Sequence, residues 1–304
     1  MTTIIYVNYY SEKLLIDSIE SVYSNTAEKN SFRILVANNG GSLDELVVEY
    51  PEIKIIECKD NYGFGKANNL ASRSAKSEYL LFLNPDTILM TDIVSEMTAF
   101  FDTFGSELQI GALGGSIYDF EGNGNFSSNY FPTINKDISY LAKGLFSSFR
   151  IRSLRSKLIK SDYKRVDAII GCNLFIKRSV FEDISGFDEN FFMYFEDVDF
   201  CYRLLKEKKL NCYVLSGTKL VHLEGGSSKG DSSYVSYKTY KFYIDSLRYY
   251  IRKNSDGLCL YILRRFYFGL VVTLNILFQG LSFRRVFNFT LEEKRMLLAQ
   301  ILQK

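Results

Sequence analysis

Tyr79-Leu80-Leu81-Phe82-Leu83-Asn84-Pro85-Asp86 is the stretch on which the fold of this 304-residue chain turns. Five consecutive apolar residues are too short a run for a helix and fit a strand buried on both faces. Pro85 then stiffens the backbone, and Asp86 places a carboxylate just past the strand end. The same pattern recurs toward the N-terminus. Residues 4–7, 32–37 and 53–57 are short strand-like runs. Between them, residues 12–23 carry Leu15, Ile19 and Val22 at helical spacing, residues 43–50 form a short helix that stops before Pro51, and residues 65–75 supply a third. Strands alternating with helices predict an α/β protein whose sheet is mostly parallel, with helices on both faces.

In such a sheet, ligands bind beyond the carboxyl ends of the strands. Four of those ends carry polar residues: Asn8, Asn38-Asn39, Asp60-Asn61 and Asn84-Pro85-Asp86. Asn and Asp are turn residues in any protein, but four such ends along one edge exceed what turns require. Gly63-Phe64-Gly65 does not make a dinucleotide fingerprint. Asn68 stands where the third glycine would be, and the segment follows the third strand rather than the first.

Three clusters could carry chemistry. Asp86 is one carboxylate of the kind that holds Mg²⁺ or Mn²⁺ together with substrate phosphates, or else it caps a helix starting near Thr91. Glu196-Asp197-Val198-Asp199 puts three acids after the apolar residues 191–195 and before a helix expected at 200–208. These acids either complement the helix dipole or include a general base whose pKa is raised by its aromatic surroundings. His222, the only histidine, opens the Gly225-Gly226-Ser227-Ser228 loop and reads as a metal or diphosphate contact, or as a structural imidazole.

The net charge of +2 argues against a nucleic-acid partner, yet it conceals an asymmetry. Residues 1–130 hold 8 basic and 18 acidic side chains, whereas residues 131–304 hold 29 and 17. Five scattered cysteines without a CxxC pair argue against a disulfide framework and a zinc site. The first residues show neither a charged leader nor a small-residue cleavage site, so a reducing cytoplasm is expected.

Taken together, several segments resemble family 2 glycosyltransferases. They are Asn8-Tyr9, Val36-Ala37-Asn38-Asn39-Gly40, Asn61-Tyr62-Gly63-Phe64-Gly65-Lys66-Ala67-Asn68-Asn69, Asn84-Pro85-Asp86, Gly171-Cys172-Asn173, Gly186-Phe187-Asp188-Glu189, Glu196-Asp197-Val198-Asp199 and His222. Their order and spacing match over residues 1 to about 229, and most of all in the bacterial rhamnosyltransferase-like branch. The resemblance implies a GT-A fold and transfer of one sugar from a nucleotide-sugar donor to a glycan or to a lipid-linked (polyprenyl diphosphate) acceptor. It implies donor contacts from Asn8, Asn38, Asn61, Lys66, Asn69, Asn84 and Asp86, and a divalent cation on Asp86 and His222. Asp197 would be the base with Glu196 beside it, and Asp199, Gly171, Cys172 and Asn173 would face the acceptor. Two departures stand out. Asn38 replaces the usual Asp that accepts a pyrimidine N3–H, and Asn84 replaces the first acid of the metal motif. No tryptophan is present, so the processive-synthase signature is absent and a single addition is expected.

A non-catalytic nucleotide-sugar or glycan-binding protein on the same fold is the alternative, although it would not need Asp86, Asp197 and His222 together. The catalytic domain is expected over residues 1–230, with a helical C-terminal extension over 231–304. Within the basic rear half, residues 150–165 interleave seven Lys/Arg with apolar residues, residues 234–252 form an aromatic-rich helix, and residues 266–283 lack any charge. A run of 18 residues reaches about 27 Å as a helix, just short of a hydrocarbon core, and Asn275, Gln279 and Ser282 share one face, which suits an interfacial or re-entrant position, or a buried soluble helix, better than a span. Peripheral attachment at the inner face of the plasma membrane is the expectation.

Overall fold

The computed structural model describes residues 1–132, 162–223, 237–254 and 266. Contacts divide the chain into two compact units. The first contains Met1–Phe131, Arg155–Phe192 and Glu196–Ser228, and the second contains Pro132–Leu154, Met193–Phe195 and Lys229–Lys304.

The first unit is built on one large sheet. β1 (Thr2–Asn8) lies between β2 (Phe32–Asn38) and β4 (Tyr79–Leu83) and is parallel to both, and β3 (Lys54–Glu57) adds in parallel outside β2. Past β4 the direction changes. β10 (Asn173–Lys177) runs antiparallel to β4 and to β6 (Ile110–Tyr118), β11 (Asn211–His222) is parallel to β6, and β5 (Thr87–Leu89) closes that edge antiparallel to β11. β8 (Tyr163–Val166) also pairs with β11, whereas β7 (Ser128–Asn129) and β9 (Ala168–Ile169) form a separate ribbon.

Burial on both faces explains why β1 and β4 read as nearly continuous apolar runs. On one face Ile4, Tyr6, Leu81 and Leu83 join Leu15, Ile19 and Val22 of α1 (Glu12–Asn25) and Ile93 and Met97 of α4 (Ile93–Phe104). On the other, Phe82 packs within 5.0 Å of Phe181 and 5.2 Å of Phe187, and Phe187 in turn meets Phe200 at 5.0 Å. Phe181 belongs to α5 (Arg178–Asp183) and Phe200 to α6 (Glu196–Lys208). α2 (Asp44–Glu49) and α3 (Gly63–Ser72) complete the crossovers between the parallel strands.

Three elements differ from the sequence reading. α3 starts at Gly63 rather than residue 65, because Gly63 takes a φ of +73° that turns the chain into the helix. β5 is too short to announce itself as a strand. α6 begins at Glu196, four residues before the expected start, so the three acids form its first turn instead of preceding it.

The second unit contributes α7 (Tyr237–Asn254), which contains most of the expected aromatic helix. Within that unit Ile244 and Tyr250 are buried, Phe195 packs on Tyr243 and Tyr250 at 5.2 and 5.7 Å, and the Ser246 hydroxyl donates to the Met193 carbonyl at 2.7 Å. Residues 150–161 of the basic segment and 267–283 of the uncharged run lie outside the described residues. Among the described residues, no helix is long and apolar enough to cross a membrane.

A Cβ added at Gly63 would lie 2.0 Å from the Phe192 carbonyl oxygen, which accepts the Phe64 N–H. Gly63→Ala therefore combines a left-handed backbone with a collision against main chain. A loss of about 2 kcal/mol or more is expected, seen as a lower denaturation midpoint.

Candidate active site

At the ends of β1 and β2 the asparagines bind each other. The Asn8 amide donates to Asn38 Oδ1 and to the Gly40 carbonyl, both at 2.9 Å, while its own oxygen accepts from the Ser11 N–H and hydroxyl. Asn38 Nδ2 donates to the Gly41 carbonyl at 3.0 Å and to both Glu57 carboxylate oxygens at 3.0 and 3.2 Å. Asn8 is fully buried and Asn38 nearly so. Expected as donor contacts, both have their hydrogen-bonding groups committed to shaping the 38–41 turn. Their side chains build the turn that follows β2.

The start of α3 is organised in the same way. Asn61 Oδ1 accepts from the Gly63 N–H at 2.9 Å, and Asn39 bridges the Tyr62 N–H and the Gly63 carbonyl. The exposed Lys66 holds its ammonium 4.4 Å from the centre of the Tyr62 ring. Asn69 departs from its expected place among the donor contacts. Its amide clasps the Phe187 backbone through both N–H and C=O, and reaches Glu189 as well. It fastens the Gly186–Glu189 turn to α3.

The β4–β5 connection carries Asn84 and Asp86. The Asn84 carbonyl accepts the Thr87 N–H and hydroxyl, which tightens the turn. Thr87 is the register partner of His222 across β5 and β11, so strand pairing itself brings Asp86 beside the imidazole. His222 Nε2 is 3.2 Å from Asp86 Oδ1 but out of line for a hydrogen bond, and among the described residues this buried nitrogen has no hydrogen-bond partner. One carboxylate oxygen and one unsatisfied imidazole nitrogen fit a divalent cation that draws its remaining ligands from diphosphate and water. Among the described residues, no cluster of three or more metal-ligating side chains occurs.

The acid-rich turn of α6 approaches from the opposite side of the sheet edge. The Gly171 N–H donates to Asp197 Oδ2 at 2.9 Å, and the Val198 N–H donates to Oδ1 at 2.8 Å. The neighbouring Cys172 carbonyl accepts the Asn84 N–H, so two residues link the Asp197 carboxylate to the turn that carries Asp86. Phe64 lies against Gly171, and Gly65 lets α3 close on Phe187, whose Cβ is 3.1 Å from where the glycine's own Cβ would be, with the Glu196 Cβ in ordinary contact at 3.6 Å. The Gly63-Phe64-Gly65 stretch thus serves helix packing at the acid pair. Asn173 is buried at the start of β10, where neither of its amide atoms has a partner among the described residues.

Burial dominates the protonation of this pair. Glu196 is pushed up to about 8, first by desolvation and then by the charge on Asp197, and its buried Oε2 has no partner among the described residues. Asp197 is raised by burial too, but the Gly171 and Val198 N–H groups pull it back. Of the two, Asp197 gives up its proton first, and its charge then helps to hold the proton on Glu196. Asp199, expected on the acceptor side, is completely buried and bound to Arg203 at 2.8 Å. Arg203 also donates to the Ile184 and Gly186 carbonyls at 2.6 Å, making the pair a brace for α6. The i, i+4 spacing of Asp199 and Arg203 was the sequence signal for that brace.

A mostly parallel sheet, strand-end turns along one edge and a buried carboxylate pair across from Asp86 define a glycosyltransferase of the GT-A fold. Solved structures share that fold. The Staphylococcus aureus TarS 1–349 structure superposes with a TM-score of 0.55 at 18% identity, over 99% of this chain and 79% of that one. The structure of GalNAc-T7 with UDP, GalNAc and Mn²⁺ gives 0.54 at 15% identity, over 76% of this chain and 45% of that one.

The chain belongs to glycosyl transferase family 2, whose sequence pattern matches residues 3–185. It is 26% identical over 226 residues to the N-acetylglucosaminyl-diphospho-decaprenol L-rhamnosyltransferase of Mycobacterium tuberculosis, covering 69% of this chain and 73% of that protein. It is 28% identical over 217 residues to the rhamnosyltransferase WbbL of Escherichia coli, covering 67% and 76% respectively.

The raised Glu196 gives a signed prediction. The folded state keeps the Glu196 proton up to about pH 8, whereas the unfolded chain releases it near 4.5. Ionisation in that window therefore weakens the fold as pH rises. Glu196→Gln removes this loss. Its melting temperature relative to wild type should climb steadily between pH 5 and pH 8.5; a flat difference would contradict the raised acid.

Proposed function

We propose that this enzyme is an inverting, cation-dependent hexosyltransferase acting in cell-surface polysaccharide synthesis. It would move one sugar, rhamnose from a dTDP donor or a hexose from a UDP donor, to a hydroxyl of a glycan or polyprenyl-diphosphate-linked acceptor. Its working position would be peripheral, at the inner face of the plasma membrane. The rhamnosyl and decaprenol chemistry in the names of the relatives supports this reading. So does the basic C-terminal half, which would meet an anionic lipid-linked acceptor.

The observation that carries the mechanism is the short backbone link joining Asp197 to the Asp86 turn through Gly171, Cys172 and Asn84. Asp197, the ionised member of the buried pair, takes the proton of the acceptor hydroxyl as that oxygen bonds to the sugar C1. The C1–O bond to the diphosphate breaks on the opposite face, and its electron pair leaves with the phosphate, so the configuration at C1 inverts. Protonated Glu196 keeps a second negative charge away from the incoming oxygen. The Gly171 and Val198 N–H groups hold the carboxylate in one orientation while leaving lone pairs for the proton. A cation bound by Asp86 and His222 would neutralise the diphosphate leaving group.

A panel of nucleotide sugars assayed with Mn²⁺ for nucleoside diphosphate release should single out one donor through slow hydrolysis. With that donor, Asp197→Asn retains the Gly171 hydrogen bond and should lower turnover by about 100-fold or more while donor affinity stays unchanged. Near-full turnover would refute the base assignment. EDTA should abolish release and Mn²⁺ or Mg²⁺ should restore it, whereas activity indifferent to chelation would refute the role of Asp86 and His222.

A further inference from the structure

The residue at the end of β2 to which the resemblance assigns the donor's base is an amide, and its hydrogen bonds are already made within the protein. Asn38 Oδ1 faces the Gly40 N–H at 3.3 Å as well as the Asn8 amide, and Nδ2 faces the Gly41 carbonyl and the Glu57 carboxylate. A backbone N–H can only donate, and a carbonyl or carboxylate only accept, so the amide cannot be flipped. Its oxygen points inward and is already used.

The missing negative charge stands one strand over. Glu57 is the register partner of Asn38 at the end of β3, and among the described residues the Asn38 amide is the hydrogen-bond partner of its carboxylate. The side chain is solvent-exposed, and a carboxylate has about four acceptor positions, so acceptor capacity remains after Asn38 has donated. Nearby, Tyr9 and Tyr10 are 40% and 68% exposed and meet edge to face at 5.0 Å. Both rings lie against Gly40, within 3.0–3.4 Å of where its Cβ would stand. Exposed aromatic faces beside an oriented carboxylate suit a flat heterocycle that donates an N–H.

We infer that Glu57, oriented by Asn38, is the specificity-determining residue for the donor's base, accepting the ring N–H of thymine, uracil or guanine. Cytosine and adenine present a bare ring nitrogen on the same edge, and its lone pair would oppose the carboxylate oxygens. The inference rests on the donor site proposed above and names the group that reads the base within it. It assigns the Asp-to-Asn change at position 38 a consequence: the recognising charge has moved from β2 to β3.

Calorimetric titration of TDP, UDP, GDP, CDP and ADP in the presence of Mn²⁺ tests this on the full chain, using wild type, Glu57→Ala, Glu57→Gln and Asp86→Asn. Wild type should bind at least one of TDP, UDP and GDP tenfold or more tighter than CDP and ADP, and which of the three wins identifies the base. Glu57→Ala should erase that preference at an unchanged melting temperature, with Glu57→Gln intermediate. Asp86→Asn should weaken all five alike and leave the ranking intact. A preference that survives in Glu57→Ala, or five equal affinities in wild type, overturns the role of Glu57 while leaving the donor site standing. If wild type binds none of the five, the donor site falls and this inference falls with it.

Discussion

The Gly171 N–H to Asp197 hydrogen bond is the constraint around which the catalytic unit is arranged. It brings the first turn of α6 onto the edge of the sheet and fixes one carboxylate where β10 is about to begin. Since the next residue, Cys172, receives the Asn84 N–H, the same two-residue segment sets both the acid pair and the Asp86 turn. Several further contacts support that junction. Gly63 turns α3 inward, Gly65 lets it close on Phe187, and Asn69 fastens the Gly186–Glu189 turn behind it. The buried Asp199–Arg203 pair braces α6 from beneath. An isolated buried carboxylate would simply be protonated; here two backbone donors bias one acid toward its charged form and burial holds its neighbour neutral.

The donor side follows a different economy. Asn8, Asn38 and Asn39 are polar, yet each commits its amide to shaping a turn. That places the exposed chemistry on their neighbours: the Glu57 carboxylate, the Tyr9 and Tyr10 rings, and Lys66 above Tyr62. A strand-end asparagine is a good builder for this task. It supplies donors and an acceptor within one rigid group and carries no charge to be compensated when buried.

Much of the parallel half was legible because hydrophobic patterning reports burial directly. Tyr79–Leu83 and the first three strands could only be covered on both faces, and the polar strand ends marked the binding edge. What stayed hidden depended on pairing between distant segments. β5 has three residues and acquires its meaning only from its register with β11, which is also what sets Asp86 against His222. The mixed direction of the sheet past β4 left no local trace. The partners of Asn8, Asn38 and Asn69 could not be read locally: Asn38 meets Glu57, 19 positions on, Asn8 meets Asn38, 30 positions on, and Asn69 meets Phe187, 118 positions on. Glu57 illustrates the converse: it reads as an ordinary strand-end acid until its register with Asn38 is known.

The base role proposed for Asp197, with attack from the face opposite the diphosphate, implies inversion at the anomeric carbon. The most direct test is the configuration of the newly formed glycosidic bond, read by proton NMR on the first-formed product with the donor that the panel selects. A product of opposite anomeric configuration to the donor is the predicted result. A product that retains the donor's configuration would contradict the role given to Asp197 and the mechanism built upon it.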